Sequence, residues 1–118
     1  MPLVDITYAS HVPQDVLHQL RSVLPHLVSL AVECPEEPYD GDLQPGDVVL
    51  RFRESGPLDS GGLDVVVEIH SKWFESRAAD RQRRVDELRE RMATATPGLG
   101  DFGVYLSLPV AAWSQGEE

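Results

Sequence analysis

Cysteine is almost missing from this chain: Cys34 is the only one among 118 residues. It has no intrachain partner and no metal-ligand spacing with any histidine, which excludes a disulfide framework and a zinc knuckle. Long apolar runs are also missing, since no stretch approaches the roughly 18 residues that a membrane span needs. The N-terminus lacks the basic region and apolar stretch of a secretory signal. We therefore expect a cytoplasmic protein that does not use a membrane as a partner.

Basic residues are scarce. The chain has 10 lysines and arginines against 20 acidic residues, which gives a formal net charge of -10. Nucleic acid is disfavoured as a partner, because binding it needs a concentrated cationic face. An anionic small molecule would also be repelled at long range unless cations are gathered locally. Most of the basic residues lie between Lys72 and Arg91, and Arg51 and Arg53 stand within a hydrophobic, strand-like stretch.

The chain is long enough for one core but too short for two, so we expect a single domain over residues 1–109 and a tail over 110–118. Helical spacing of apolar residues extends over about residues 13–32, and Pro25 lies inside this range. An interior proline predicts a kink there or two abutting helical pieces. Hydrophobic residues alternate in four segments and recur at helical spacing in two. These patterns predict strands at about 2–8, 47–54, 63–70 and 102–108, and helices at about 13–32 and 75–92.

The order β-α-β-β-α-β predicts an α+β domain with both helices packed on one face of a four-stranded sheet. The second and third strands are close enough in sequence to predict an antiparallel hairpin. Arg51 and Arg53 share one face of the second strand, and Glu68 and His70 share one face of the third. A sheet face with arginines and a histidine among valines suits neither a dry core nor an ordinary solvent face. A shared interface that encloses an anion site is one physical solution.

Two charged segments need no ligand. Residues 35–46 are rich in carboxylates, proline and glycine, and they predict a solvated loop rather than a metal site, because the carboxylates do not follow the calcium-loop pattern. The second helix alternates acidic residues with Arg81, Arg83 and Arg84. This pattern is typical of a solvated face strengthened by side-chain pairs.

Pro2 directly follows the initiator Met1. If Met1 is removed, Pro2 becomes an N-terminal secondary amine whose pKa lies much nearer neutrality than that of a lysine. Such a nitrogen can act as a general base without a cluster of side chains. A proline at position two is also common without any catalytic role. Pro2 by itself therefore does not decide between a catalytic base and an ordinary second residue.

Three passages resemble one known family: the opening Met1-Pro2-Leu3-Val4, the arginine-bearing second strand, and the run from Val65 through Lys72 into Glu75-Ser76-Arg77. The chain resembles the tautomerase superfamily that includes macrophage migration inhibitory factor. Within it, the chain is most similar to the 5-carboxymethyl-2-hydroxymuconate isomerases. The likeness spans nearly the whole chain in length and element order. Pro2 and the Glu75-Ser76-Arg77 match after a strand are its most specific points.

The resemblance implies a homotrimer with active sites near the subunit boundaries and a reaction that uses no cofactor and no metal. It implies that Pro2 is the general acid/base and moves a proton in a small anionic keto-enol, hydroxymuconate-like substrate. Lys72 falls where the isomerases have a substrate-binding arginine, and either Arg51 or Arg53 falls near a second cationic position. A lysine loses the bidentate recognition of a planar carboxylate that an arginine provides. Further pocket candidates are Tyr8, His70 and Trp113.

Two other functions stay open. Another proline-based reaction of the same superfamily, dehalogenation or decarboxylation, would use the same nitrogen. A non-catalytic α+β oligomer that binds a small anion or a protein partner would need no base. Whatever the function, Arg51 and Arg53 have an alternative structural role, which is pairing with Glu54, Glu68 or an acid of a neighbouring subunit.

Overall fold

The computed structural model of the protein describes residues 1–117. The predicted element order and α+β class are confirmed, and each predicted strand is present within two residues of its expected bounds. No helix within the described residues is long and apolar enough to cross a membrane. The elements are β1 (Leu3–Tyr8), α1 (Gln14–Val32), a 3-10 turn (Pro45–Asp47), β2 (Val49–Glu54), β3 (Val65–His70), α2 (Glu75–Ala78), α3 (Arg81–Ala95) and β4 (Phe102–Ser107).

The four strands form one sheet in the order β2-β1-β3-β4. β1 pairs in parallel with β2 and antiparallel with β3, and β3 pairs in parallel with β4. The predicted hairpin between β2 and β3 is therefore wrong, because β1 lies between these two strands. The parallel pairing of β1 with β2 requires a long crossover. α1 lies in that crossover, which places it beside the sheet.

The core lies between one face of the sheet and the two longer helices. Val4 and Ile6 of β1 are 1% and 0% exposed, as their alternation predicts. α1 and α3 pack against each other over the sheet, and α3 buries only a narrow apolar stripe, Leu88 and Met92. The remaining buried hydrophobic residues of the sheet and α1 are Leu17, Leu20, Leu24, Leu27, Val28, Val32, Val65, Val67 and Ile69.

α1 continues through Pro25 as one helix, so the expectation of two helical pieces is wrong. A proline inside a helix leaves the carbonyl of the residue four positions earlier without its N–H partner. That residue is Arg21, which is exposed, so water can bind its carbonyl. The buried Ser29 hydroxyl also donates to the Pro25 carbonyl oxygen at 2.8 Å. Burial of the apolar face of α1 offsets the remaining cost.

The second predicted helix is divided. α2 ends at Ala78, and α3 begins after Asp80, whose carboxylate accepts hydrogen bonds from Arg83 and Arg84. Arg84 is not the solvated side chain that its sequence pattern indicates. It is 11% exposed, and it donates to the carbonyl oxygens of Ala31 and Glu33 at 2.9 and 2.6 Å. Arg84 thereby satisfies two carbonyls at the end of α1.

The sheet face opposite the helices, which we call the open face, carries polar residues in register. Asp5 lies between Arg51 on β2 and Glu68 on β3, and Tyr105 on β4 lies beyond Glu68. The other residues of the open face are Leu3, Thr7, Val49, Arg53, Val66, His70, Gly103 and Ser107. The helices leave this face uncovered within one chain.

Asp64 joins the segments that precede β3 and β4. Its carboxylate accepts a hydrogen bond from the Asp101 N–H at 2.9 Å and pairs with His11 Nε2 at 2.8 Å. Gly100 has a φ of +71°, and a Cβ there would overlap the Asp64 carboxylate. The Asp101 N–H lowers the pKa of Asp64, burial opposes this shift, and the His11 contact lowers the pKa further.

This lowered pKa predicts acid sensitivity. Since Asp64 binds its proton more weakly in the folded chain, its contribution is present above the unfolded pKa of about 4 and is lost as the pH falls through the folded value. Asp64→Asn should therefore reduce the slope of unfolding free energy against pH below about pH 4, measured by urea denaturation. His11→Gln should keep most of that slope, because the Asp101 bond remains. An equal slope in wild type and Asp64→Asn would contradict this account.

Candidate functional site

The first and last parts of the chain meet beside β3. Antiparallel pairing sets Leu3, the start of β1, opposite His70, the end of β3. The backbone after β4 runs alongside, with the Trp73 N–H donating to the Pro109 carbonyl oxygen at 2.9 Å. A cavity of about 110 Å³ lies there, which we call the N-terminal pocket. It is lined by Met1, Leu3, His70, Ser71, Lys72, Pro109, Ala111, Ala112 and Trp113.

Pro2 is buried at the entrance to β1. Its carbonyl oxygen accepts a hydrogen bond from the Val49 N–H at 3.0 Å, which continues the β1–β2 ladder by one residue. The Pro2 nitrogen is bonded to Met1, and Met1 lines the N-terminal pocket. Loss of Met1 would therefore leave the proline nitrogen beside the space that Met1 now fills.

Arg77 is the most deeply buried charged side chain described, at 1% exposure. Its Nε donates to the Val32 carbonyl oxygen and its Nη1 to the Lys72 carbonyl oxygen, both at 2.6 Å. Its Nη2 lies 3.5 Å from Glu37 Oε1, and its guanidinium carbon lies 5.2 Å from the centre of the Phe74 ring. Arg77 therefore ties the end of α1 and the following loop to the backbone of Lys72.

Glu37 is a further residue near the candidate site, and sequence reasoning did not single it out. It belongs to the loop after α1, which the sequence predicts to be solvated. Its carboxylate instead lies between two cations, Arg77 and the N-terminal ammonium of Met1. The Met1 nitrogen is 4.0 Å from Glu37 Oε2. Its neighbour Glu36 accepts a hydrogen bond from the Ser76 hydroxyl at 2.7 Å, and this bond lowers the pKa of Glu36. The pairing of this loop with Ser76 and Arg77 is long-range, so composition alone carries no signal for it.

Lys72 lines the N-terminal pocket and is an exposed residue. Its Nζ is 5.5 Å from the centre of the Phe74 ring, a distance that suits a cation–π contact. Arg77 holds its backbone carbonyl. The backbone from which the Lys72 side chain projects is therefore held in place.

The other predicted pocket residues divide into two groups. His70 and Trp113 line the N-terminal pocket together with Lys72. Tyr8 ends β1, about 20 Å along the strand from Pro2, and packs against the core. Within one chain, the structure therefore does not bring Tyr8 to the N-terminal pocket.

Arg51 and Arg53 lie on the exposed side of the edge strand β2. They line a separate cavity of about 520 Å³. Within residues 1–117 neither arginine forms a salt bridge, so neither pairs with Glu54 or Glu68, and pairing with an acid of a neighbouring subunit stays a prediction. The two guanidinium groups are available to a ligand or to another copy of the chain.

Comparison of the sequence with protein-family models and with curated proteins gives no match. Solved structures do match. MIF2 of Leishmania major superposes with a TM-score of 0.62 at 15% identity, covering 98% of this chain and 95% of that one. A malonate semialdehyde decarboxylase superposes with a TM-score of 0.60 at 16% identity, covering 98% of this chain and 91% of that one. A fused 4-OT described as a symmetric trimer superposes with a TM-score of 0.59 at 12% identity, covering 91% of this chain and 85% of that one.

These neighbours belong to the tautomerase/MIF superfamily, and the chain has a tautomerase/MIF-like fold. Identities of 12–16% show the fold alone. The four-stranded sheet with its two long helices is thus the shared feature. The chemistry has to be argued from the side chains.

The Arg77 contacts predict a large effect of removing the guanidinium. Arg77→Met should lower the free energy of unfolding by about 2–4 kcal/mol, because one buried carbonyl, one partly buried carbonyl and a partly buried carboxylate lose their donor. Urea denaturation followed by circular dichroism measures this loss. Arg89→Met, at an exposed position of α3, is the matched control and should change stability by less than about 0.5 kcal/mol. A similarly small effect of Arg77→Met would show that the Arg77 contacts do not stabilise the fold.

Proposed function

We propose that the mature protein is a cofactor-independent tautomerase that moves a proton within a small anionic keto-enol substrate, with Pro2 as general acid/base. The observation that carries this proposal is the N-terminal pocket, where Met1, bonded to the Pro2 nitrogen, shares a cavity with Lys72 and His70. The resemblance to 5-carboxymethyl-2-hydroxymuconate isomerases supports a hydroxymuconate-like dienol as substrate.

The chemistry needs a base and a cation in one place. Abstraction of a proton next to a carbonyl leaves an enolate, which a positive charge or hydrogen-bond donor must stabilise. After removal of Met1, the secondary amine of Pro2 has a pKa near neutrality and can take the proton from carbon and return it at the other end of the dienol. Lys72 supplies the charge that holds the substrate carboxylate or the enolate oxygen.

We further propose that the protein acts as a homotrimer. Support comes from the uncovered open face and from the superposed 4-OT, which is described as a symmetric trimer. In such an assembly, Arg51 or Arg53 of a neighbouring copy would supply the second cation that the N-terminal pocket lacks within one chain. Light scattering at micromolar concentration tests this assembly, and a monomer would contradict a site shared between copies.

A second candidate reaction is favoured by Glu37. The Glu37 carboxylate lies 4.0 Å from the Met1 nitrogen, so after removal of Met1 it would face the vacated space and could orient a water molecule there. That arrangement suits hydration or decarboxylation, and one superposed structure is of a malonate semialdehyde decarboxylase with hydratase activity. Turnover of malonate semialdehyde by wild type and its loss in Glu37→Gln would favour this reaction. No turnover by wild type would exclude this substrate.

The base is tested first by mass spectrometry and then by substitution. We expect the mature chain to lack Met1, because a retained Met1 makes the Pro2 nitrogen a non-basic amide. Pro2→Ala should lower kcat/KM for ketonisation of 2-hydroxymuconate or phenylenolpyruvate by about 100-fold, the lower end of the range for general acid–base catalysis. Retained Met1, or equal rates in the two proteins, would overturn the mechanism and leave an anion-binding oligomer as the remaining function.

The role of Lys72 is tested with two substitutions that differ in charge. Lys72→Gln should reduce kcat/KM for a carboxylate substrate by about 10- to 100-fold, since a hydrogen bond to a charged group contributes about 1.5–3 kcal/mol. Lys72→Arg should keep or raise activity, because a guanidinium binds a planar carboxylate with two hydrogen bonds. Steady-state kinetics of both variants measure this difference. Equal activity of Lys72→Gln and wild type would remove Lys72 from the site.

A further inference from the structure

The open face carries three side chains of metal-ligating type on its two central strands. These are Asp5 on β1 and Glu68 and His70 on β3, and one ligand atom of each lies within 4.8 Å of the others. Asp5 and Glu68 are directly opposite in the antiparallel register. His70 is two residues beyond Glu68 and therefore projects from the same face. Three potential ligands thus meet on the central, hydrogen-bonded part of the sheet.

Within one chain, no cationic side chain pairs with the two carboxylates of this triad. Like charges directly opposite each other on paired strands are destabilising. Arg51 lies beside Asp5 on the other neighbouring strand, but within residues 1–117 neither Asp5 nor Glu68 forms a salt bridge. The Asp5 carboxylate instead groups with Glu68 and His70. A cation placed among the three would remove the repulsion.

We propose that Asp5, Glu68 and His70 bind one divalent first-row transition-metal cation, for which Zn²⁺ is the probe. Two carboxylates match a double positive charge, and an imidazole nitrogen favours Zn²⁺ and its neighbours over Ca²⁺ or Mg²⁺, which prefer oxygen ligands. Ligand bonds of about 2.0–2.2 Å from three side chains leave a fourth position to water. Glu68 is exposed within one chain, and the net charge of -10 attracts a cation to the protein.

This site is independent of the proposed proton transfer, which uses no metal. His70 also lines the N-terminal pocket, but metal binding is measured without any substrate. Failure of the tautomerase proposal would leave the metal proposal untouched, and the reverse also holds.

Isothermal titration of chelator-treated, tag-free protein with Zn²⁺ tests the proposal. Wild type should bind one Zn²⁺ ion per chain. Three variants should each weaken Zn²⁺ binding by more than about tenfold: Asp5→Asn, Glu68→Gln and His70→Gln. The reason is that losing even an outer-shell partner of a metal ligand costs about 10- to 100-fold in metal affinity. The matched controls are Glu90→Gln and His18→Gln at exposed helix positions, which should bind as wild type does. Unchanged affinity in Glu68→Gln and His70→Gln, or equal losses in the controls, would overturn the site.

Wild-type protein provides a second readout that does not depend on the folding of variants. The chain has four histidines, and imidazole nitrogen resonances distinguish them in NMR spectra. Zn²⁺ should shift the ring resonances of His70 at one equivalent and leave those of His18 unchanged. Shifts confined to the other histidines would contradict the proposal. Without metal, Asp5→Asn should be at least as stable as wild type, because it removes a like-charge contact.

Discussion

The buried guanidinium of Arg77 is the interaction on which the N-terminal end of the molecule depends. It satisfies the carbonyl of Val32 at the end of α1 and that of Lys72 after β3, and it attracts Glu37 from the loop between α1 and β2. A buried charge is tolerated only when it is paired and hydrogen-bonded, so these partners cannot move apart without leaving Arg77 unsatisfied. One side chain therefore sets the position of a loop, a helix end and the backbone of the candidate substrate-binding lysine.

The two faces of the sheet serve different purposes. The apolar face holds the helices and fixes β1 between β2 and β3, which places Met1 and Leu3 beside the end of β3, in the cavity that Lys72 also lines. The open face gathers acids, arginines and a histidine that one chain leaves uncovered. The proposed proton transfer at the N-terminal pocket and the proposed metal site at Asp5, Glu68 and His70 lie on adjacent parts of this face. His70 is common to both.

The sequence predicted the elements better than their pairing. Alternation and helical spacing report on local burial, so strand positions and the core residues Val4 and Ile6 followed directly. The false hairpin arose because sequence proximity says nothing about β1 entering between β2 and β3. Among the predicted site residues, Lys72, His70 and Trp113 line one cavity, and their role stays a prediction. Glu37 was missed because only the long-range contact with Arg77 distinguishes it from other loop acids.

The central claim is that the Pro2 nitrogen is a free amine of near-neutral pKa beside a cationic side chain. Nitrogen-15 NMR of protein labelled at proline measures this directly, by following the Pro2 resonance against pH. The account predicts a titrating amine with a midpoint near the α-amino range of about 7 to 8. A resonance in the amide range that does not move with pH, or a midpoint above about pH 9, would contradict it, since such a nitrogen cannot accept and return a proton near neutral pH.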